Sequence, residues 1–84
     1  MTHYYLHLYN RIGFVRDEEG QDAPDLDGAR EAAIQAIRGI VSHEAKAGRI
    51  DLAGRIEIAD ETGRLLACVP FSEALTVQLD ETNA

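Results

Sequence analysis

The chain has a single cysteine, Cys68, so an internal disulfide framework is excluded, and no cluster of Cys and His suggests a structural zinc. A lone thiol points to a reducing compartment, and a cytoplasmic protein is expected. Long apolar runs are missing as well: the longest, Leu65 to Phe71, is far short of a bilayer span, and no basic segment followed by an apolar stretch opens the sequence. Basic residues are few, 8 Lys/Arg against 15 Asp/Glu for a formal net charge of -7, which argues against a nucleic-acid or membrane surface partner. What is present is enough for one small domain. With 84 residues, 45% of them hydrophobic and 27% charged, the composition is that of a folding chain. A domain of this size hides only about 60% of the surface its unfolded chain exposes, so stability is expected to be modest.

The negative charge is local. Residues 17–31 carry seven acids and one base, Arg30, which accounts for -6 of the -7. Asp17, Glu18, Glu19 and Asp22 in this stretch form a candidate docking surface for a basic partner.

From His3 to Tyr9 the residues alternate, with Tyr4, Leu6 and Leu8 on one side of an extended chain and His3, Tyr5, His7 and Tyr9 on the other. Asn10, Arg11 and Gly13 supply a turn into a second short strand at Phe14-Val15-Arg16. The register of this hairpin is open. A two-residue loop at Asn10 and Arg11 puts Ile12 and Phe14 on the Tyr5/Tyr9 side, and an odd-length loop moves Phe14 to the Leu6/Leu8 side. Residues 17–27 read as an acidic loop with at most a short strand around Gln21 to Ala23. Asp25, after Pro24, is placed to cap a helix whose buried stripe is Leu26, Ala29, Ala33, Ile37, Ile40 and Val41, with Ile34 and Ala36 at its margins. Gly48 closes the helix. Arg55 to Ala59 alternates with Ile56 and Ile58 inward, Asp60 to Gly63 turns, and Arg64 to Val69 returns as a strand that Pro70 ends or places at an edge. One helical turn at Ser72 to Leu75 and a last short strand at Thr76 to Leu79 precede a tail, about 80–84, that is expected to fray. The expectation is a single α+β domain over 1–84: an antiparallel sheet from two β-hairpins with one central helix packed on one face, in the order ββαββ with room for extra short strands.

These residues carry a resemblance. The strand Tyr4 to Leu8, the Asp-Glu-x-Gly loop Asp17 to Gly20, the Pro-Asp-Leu helix start Pro24 to Leu26 and the Gly-Arg-x-Ile-Glu strand Gly54 to Glu57 follow one another as they do in a small bacterial family known only as a domain of unknown function. The turn Asp60 to Gly63 and the ending Val69 to Phe71 continue the match. The resemblance implies a fold and no activity. A looser similarity, on Pro24 to Ala33 alone, is to antitoxin domains of the HicB type. A nucleic-acid-linked regulator is a separate alternative, in which tyrosines and histidines of the sheet stack on single-stranded bases and Arg11, Arg55 or Arg64 meets phosphate.

No constellation for chemistry stands out. His3 and His7 are four residues apart on a strand, roughly 13 Å, too far to share one metal. Asp25-Leu26-Asp27-Gly28 resembles part of a calcium loop, but aligning its glycine puts Ala23 at the first ligand position and Ile34 at the closing glutamate. Cys68 sits in an apolar strand and reads as a buried small hydrophobe, and no Gly-x-Ser-x-Gly elbow or glycine-rich phosphate loop occurs. No catalytic residue, metal or cofactor is expected, and the chain does not read as an enzyme. The candidate interface is the row His3, Tyr5, His7 and Tyr9, facing away from the helix toward a partner protein or a second copy. The competing reading makes the tyrosines core, either covered by the C-terminal segment or turned inward.

Overall fold

The computed structural model describes residues 1–79. The elements run β1 (Thr2–Tyr9), β2 (Phe14–Val15), β3 (Gln21–Ala23), α1 (Leu26–Lys46), β4 (Arg55–Ala59), β5 (Leu65–Pro70) and a 3-10 turn (Phe71–Ala74). One helix lies on one face of a five-stranded antiparallel sheet, the α+β arrangement expected from the alternation and the cap signals. The strand order is β2-β1-β4-β5, and β3 joins the same edge of β1 as β2 does.

Strand β1 organises everything around it. Its inner edge pairs with β4, setting Leu6 opposite Ile58 and Leu8 opposite Ile56, and β4 sets Ile56 opposite Val69. Period-two alternation then places Tyr4, Leu6, Leu8, Ile56, Ile58 and Val69 on one face. Against that face lie Ala29, Ala33, Ile37 and Val41 of α1, all buried. These four belong to the expected stripe; Leu26 and Ile40, also expected in it, are half-buried at its margins with Ile34, and Ala36, expected at the margin, is exposed.

The helix ends are set by local chemistry. Asp25 is extended, and its Oδ1 accepts the Gly28 N–H at 2.8 Å, so one orphan donor of the first turn is satisfied. At the other end Gly48, at φ +86°, allows its own N–H to reach the Ala45 carbonyl and the Arg49 N–H to reach that of Glu44, which is the Schellman arrangement.

The first hairpin has a four-residue loop, with Tyr9 opposite Phe14. The even length resolves the open register: Phe14 joins the Tyr9 side, Val15 faces the other way, and Ile12 stays in the loop at 90% exposure. Between β4 and β5 the register shifts after Ile58, leaving Leu66 unopposed. Pro70, which has no N–H to donate, is the last residue of the edge strand β5.

Two expectations are corrected. Thr76 to Leu79 forms no strand. After Pro70 the chain crosses to the helix side, where the Phe71 N–H bonds the Gly54 carbonyl and Arg38 Nε donates to the Ala74 carbonyl at 2.8 Å. Arg30 pairs with Glu73 there as well, so the segment that follows has no sheet edge beside it, and Val77 and Leu79 are exposed. Cys68 is exposed rather than buried, because it stands opposite Glu57 on the face that the helix does not cover. The expected frayed tail, about 80–84, lies outside the described residues.

Candidate functional site: the open face of the sheet

The register of β1 with β4 puts Tyr5 opposite Ala59, His7 opposite Glu57 and Tyr9 opposite Arg55, all on the face away from α1. Phe14 adds to this row from β2 and Cys68 from β5. The candidate residues His3, Tyr5, His7 and Tyr9 are thus brought together on the face away from the helix and half-buried, in part by the loop 17–20, which bonds His3 and His7 and brings Gly20 beside the Tyr5 ring. The rings are in contact from end to end. His3 meets Tyr5 edge-on at 5.2 Å between centroids, Tyr5 stacks with His7 at 6.3 Å, His7 reaches Phe14 at 5.8 Å, and Phe14 packs on Tyr9 at 4.6 Å. The guanidinium of Arg55 lies over the Tyr9 ring, 4.2 Å from its centroid, and its Nε donates to Glu57 at 2.9 Å.

The acidic loop divides by role. Asp17 turns its carboxylate back onto β1, where Oδ2 accepts the Leu6 N–H and Oδ1 the Gly20 N–H, both at 3.0 Å. Leu6 falls in the gap between the residues of β1 paired by β3 and those paired by β2, so Asp17 stands in for a missing strand. Partial burial works against its charged form, but the N–H donors of Leu6, Gly20 and Glu19 outweigh it and hold the carboxyl below its ordinary range. Asp22 is bound by His3, whose Nδ1 donates to Asp22 Oδ1 at 2.7 Å while Nε2 donates to the Glu19 carbonyl at 2.8 Å. A ring that donates from both nitrogens is an imidazolium. The Asp22 carboxylate first and the Glu19 carbonyl second raise the His3 pKa accordingly. His7 is used differently: its Nδ1 accepts the Asp17 N–H at 3.0 Å. Of the four acidic docking candidates, Asp17 and Asp22 are therefore engaged within the fold. Glu18 and Glu19 expose carboxylates that have no hydrogen bond or ion pair among the described residues.

A cleft of about 370 Å³ opens where this loop approaches the β4–β5 turn, lined by Tyr5, His7, Arg16, Asp17, Glu18, Asp60 and Glu61. The turn is held by Asp60, whose Oδ1 accepts from the Thr62 hydroxyl at 2.6 Å and from the backbone N–H groups of Thr62 and Arg64. These bonds, led by the Thr62 side chain, keep the Asp60 carboxyl below its ordinary range. Sequence reasoning missed Asp60, Glu61 and Glu57 as parts of this surface, whereas Phe14 was one of its two register alternatives. The outward positions of Arg55-Ile56-Glu57 were readable from alternation, but the pairing of β4 with β1 was not. Among the described residues no group of three or more His, Cys, Asp or Glu stands close enough to hold a metal ion, and no helix is long and apolar enough to cross a membrane.

No curated protein and no solved structure matches the sequence. A family model does, over residues 3–72, which takes in every strand, the helix and the start of the 3-10 turn. The chain belongs to the family described as a domain of unknown function, DUF6894.

Proposed function

We propose that the chain is a non-catalytic protein-interaction module of the cytoplasm, which binds a partner protein through the open face of its sheet. The observation that carries this reading is the unbroken row of five rings from His3 to Tyr9 on the face away from the helix, flanked by the loop 17–20 and still partly exposed along its length. Exposed aromatic surface of this kind is characteristic of protein interfaces, where Tyr and Arg supply much of the binding free energy. The partner surface is basic. Glu18, Glu19 and Glu61 flank the row and form no ion pair among the described residues, and a second copy would set the same carboxylates against them. The histidines support a non-catalytic role, since His3 spends both nitrogens on the loop and His7 one of its two. Nucleic acid is a poor fit: Arg11 and Arg55 are already paired with Asp51 and Glu57, in a chain of net charge -7.

Photo-crosslinking amino acids placed at Tyr5 and Tyr9, with Gln35 on the exposed side of α1 as control, test the reading in the native cell. The expected result is one defined polypeptide attached from both sheet positions and absent from Gln35. Crosslinks only between copies of the chain, or equal crosslinking from Gln35, would overturn it.

A further inference from the structure

We infer that the cleft beside Tyr5 receives a guanidinium group from the partner, an arginine side chain stacked on the Tyr5 ring and bonded by the carboxylates of Glu18 and Glu61. The inference rests on the interaction reading above and names the chemistry of its central contact. The structure contains the template within itself. At the far end of the row the Arg55 guanidinium lies 4.2 Å over the Tyr9 ring and is bonded at 2.9 Å by Glu57, a cation held between an aromatic face and a carboxylate. Tyr5 repeats the aromatic half of this arrangement four residues earlier on the same strand and the same face. The carboxylate half is repeated too, by Glu18 from the loop after β2 and Glu61 from the β4–β5 turn, which line the same cleft. Arg16, which also lines the cleft, is exposed and makes no hydrogen bond or ion pair among the described residues, so the carboxylates of Glu18 and Glu61 are unpaired.

The walls of the cleft are fixed before any ligand arrives. Asp17 and Asp60 lend charge but direct their oxygens to backbone N–H groups, which sets the two loops in place. Glu18 and Glu61 make no such bonds and are the carboxylates available to a ligand. A delocalised planar cation suits the site better than a compact one. It stacks on a ring while its edge donates to carboxylates on two sides, which a lysine ammonium does less well.

Titration of the isotope-labelled full chain with N-acetyl-arginine amide at low ionic strength, followed by backbone amide NMR, tests this directly. The neutral isostere N-acetyl-citrulline amide is the control. Saturable shifts are expected at Tyr5, His7, Glu18 and Glu61 with the arginine probe and none with citrulline. Glu18→Gln combined with Glu61→Gln weakens binding about five-fold, on the scale of two exposed ion pairs. Tyr5→Leu, at a half-exposed position, weakens it about three-fold with the native spectrum retained. Glu31→Gln with Glu44→Gln removes the same charge from α1 and changes affinity less than two-fold. Equal shifts from citrulline, or equal losses from both double variants, would overturn the inference. If the crosslinks from Tyr5 and Tyr9 persist while the arginine probe does not bind, the guanidinium contact is wrong and the interaction reading stands; the reverse pattern keeps the cleft and removes the reading.

Discussion

The two faces of the sheet are made by the same strands and obey different rules. On the helix side, alternate residues of β1 and β4 are aliphatic, apart from Tyr4, and the opposing helix positions Ala29 and Ala33 are small and fully buried, which lets the helix lie close to the sheet. On the open side the intervening positions of β1 are His3, Tyr5, His7 and Tyr9, each half-buried, with the loop 17–20 rather than a helix against them. The first face uses its side chains to exclude water. The second uses backbone and loop contacts to hold rings at the surface, which lets it bear a binding function that the first cannot. Removing a side chain should therefore cost stability on one face and binding on the other.

The largest effect is expected from Ile58→Ala. Ile58 is fully buried at the centre of the helix-covered face, and its truncation costs about 2–5 kcal/mol, a large share of what a chain of this size has. Urea unfolding followed by far-UV circular dichroism measures it, with Tyr5→Leu on the open face expected to cost less than about 1 kcal/mol. Equal losses at the two positions would mean that the open face is core in solution.

Asp17 lies between the two faces. Asp17→Ala leaves the Leu6 N–H, in mid-strand, without its acceptor and releases Gly20, at a cost of about 1–3 kcal/mol. Gly20 has no freedom to compensate: its φ is +67°, and an added Cβ would stand 2.6 Å from the Tyr4 carbonyl. Because the Asp17 carboxyl is held below its ordinary value of 3.8, its contribution is complete above that pH and is lost as pH falls through the lowered value. A denaturant series between pH 6 and pH 2 should show the wild type converging on Asp17→Ala at the acid end.

Much of the helix-covered face was legible in the sequence, because burial there imposes a period. Alternation at Tyr4, Leu6 and Leu8 and at Ile56 and Ile58, the Asp25 cap and the Gly48 closure each follow from local rules, and each is observed. The row His3, Tyr5, His7 and Tyr9 was legible for the same reason, as the other half of that period. What was hidden depends on contacts distant in sequence. The double role of Asp17 requires the gap between β2 and β3, and the approach of Glu18 to Glu61 requires β1 to pair with β4 across the 45 residues between them. Cys68 was misread because β5 is apolar on both faces, so its composition does not say which face is covered.

A smaller and local effect is expected at His3. Its pKa is raised above 6.5, by Asp22 first and the Glu19 carbonyl next, so the imidazolium that ties β3 to β1 is fully formed below pH 6.5 and is lost as pH rises through the raised value. Amide exchange at Gln21 to Ala23, corrected for the intrinsic pH dependence, should speed up over that interval while Ile56 and Ile58 keep their protection. In His3→Gln the step should vanish. A step that survives the substitution would assign the titration to another group.

The smallest effect on stability is expected at Cys68, and it bears on which side of the comparison β5 belongs to. On the open face the thiol packs under no second layer, so Cys68→Ser changes the unfolding free energy by less than about 0.5 kcal/mol. The native protein should also react stoichiometrically with Ellman's reagent without denaturant, at a rate that does not follow the unfolding equilibrium. If reaction instead needs denaturant while the chain is monomeric, β5 presents its outer side to a layer of the protein itself, and the open face ends at β4. If the thiol is masked only at high protein concentration, copies of the chain meet there, and the acidic flank does not select against a second copy as its charge predicts.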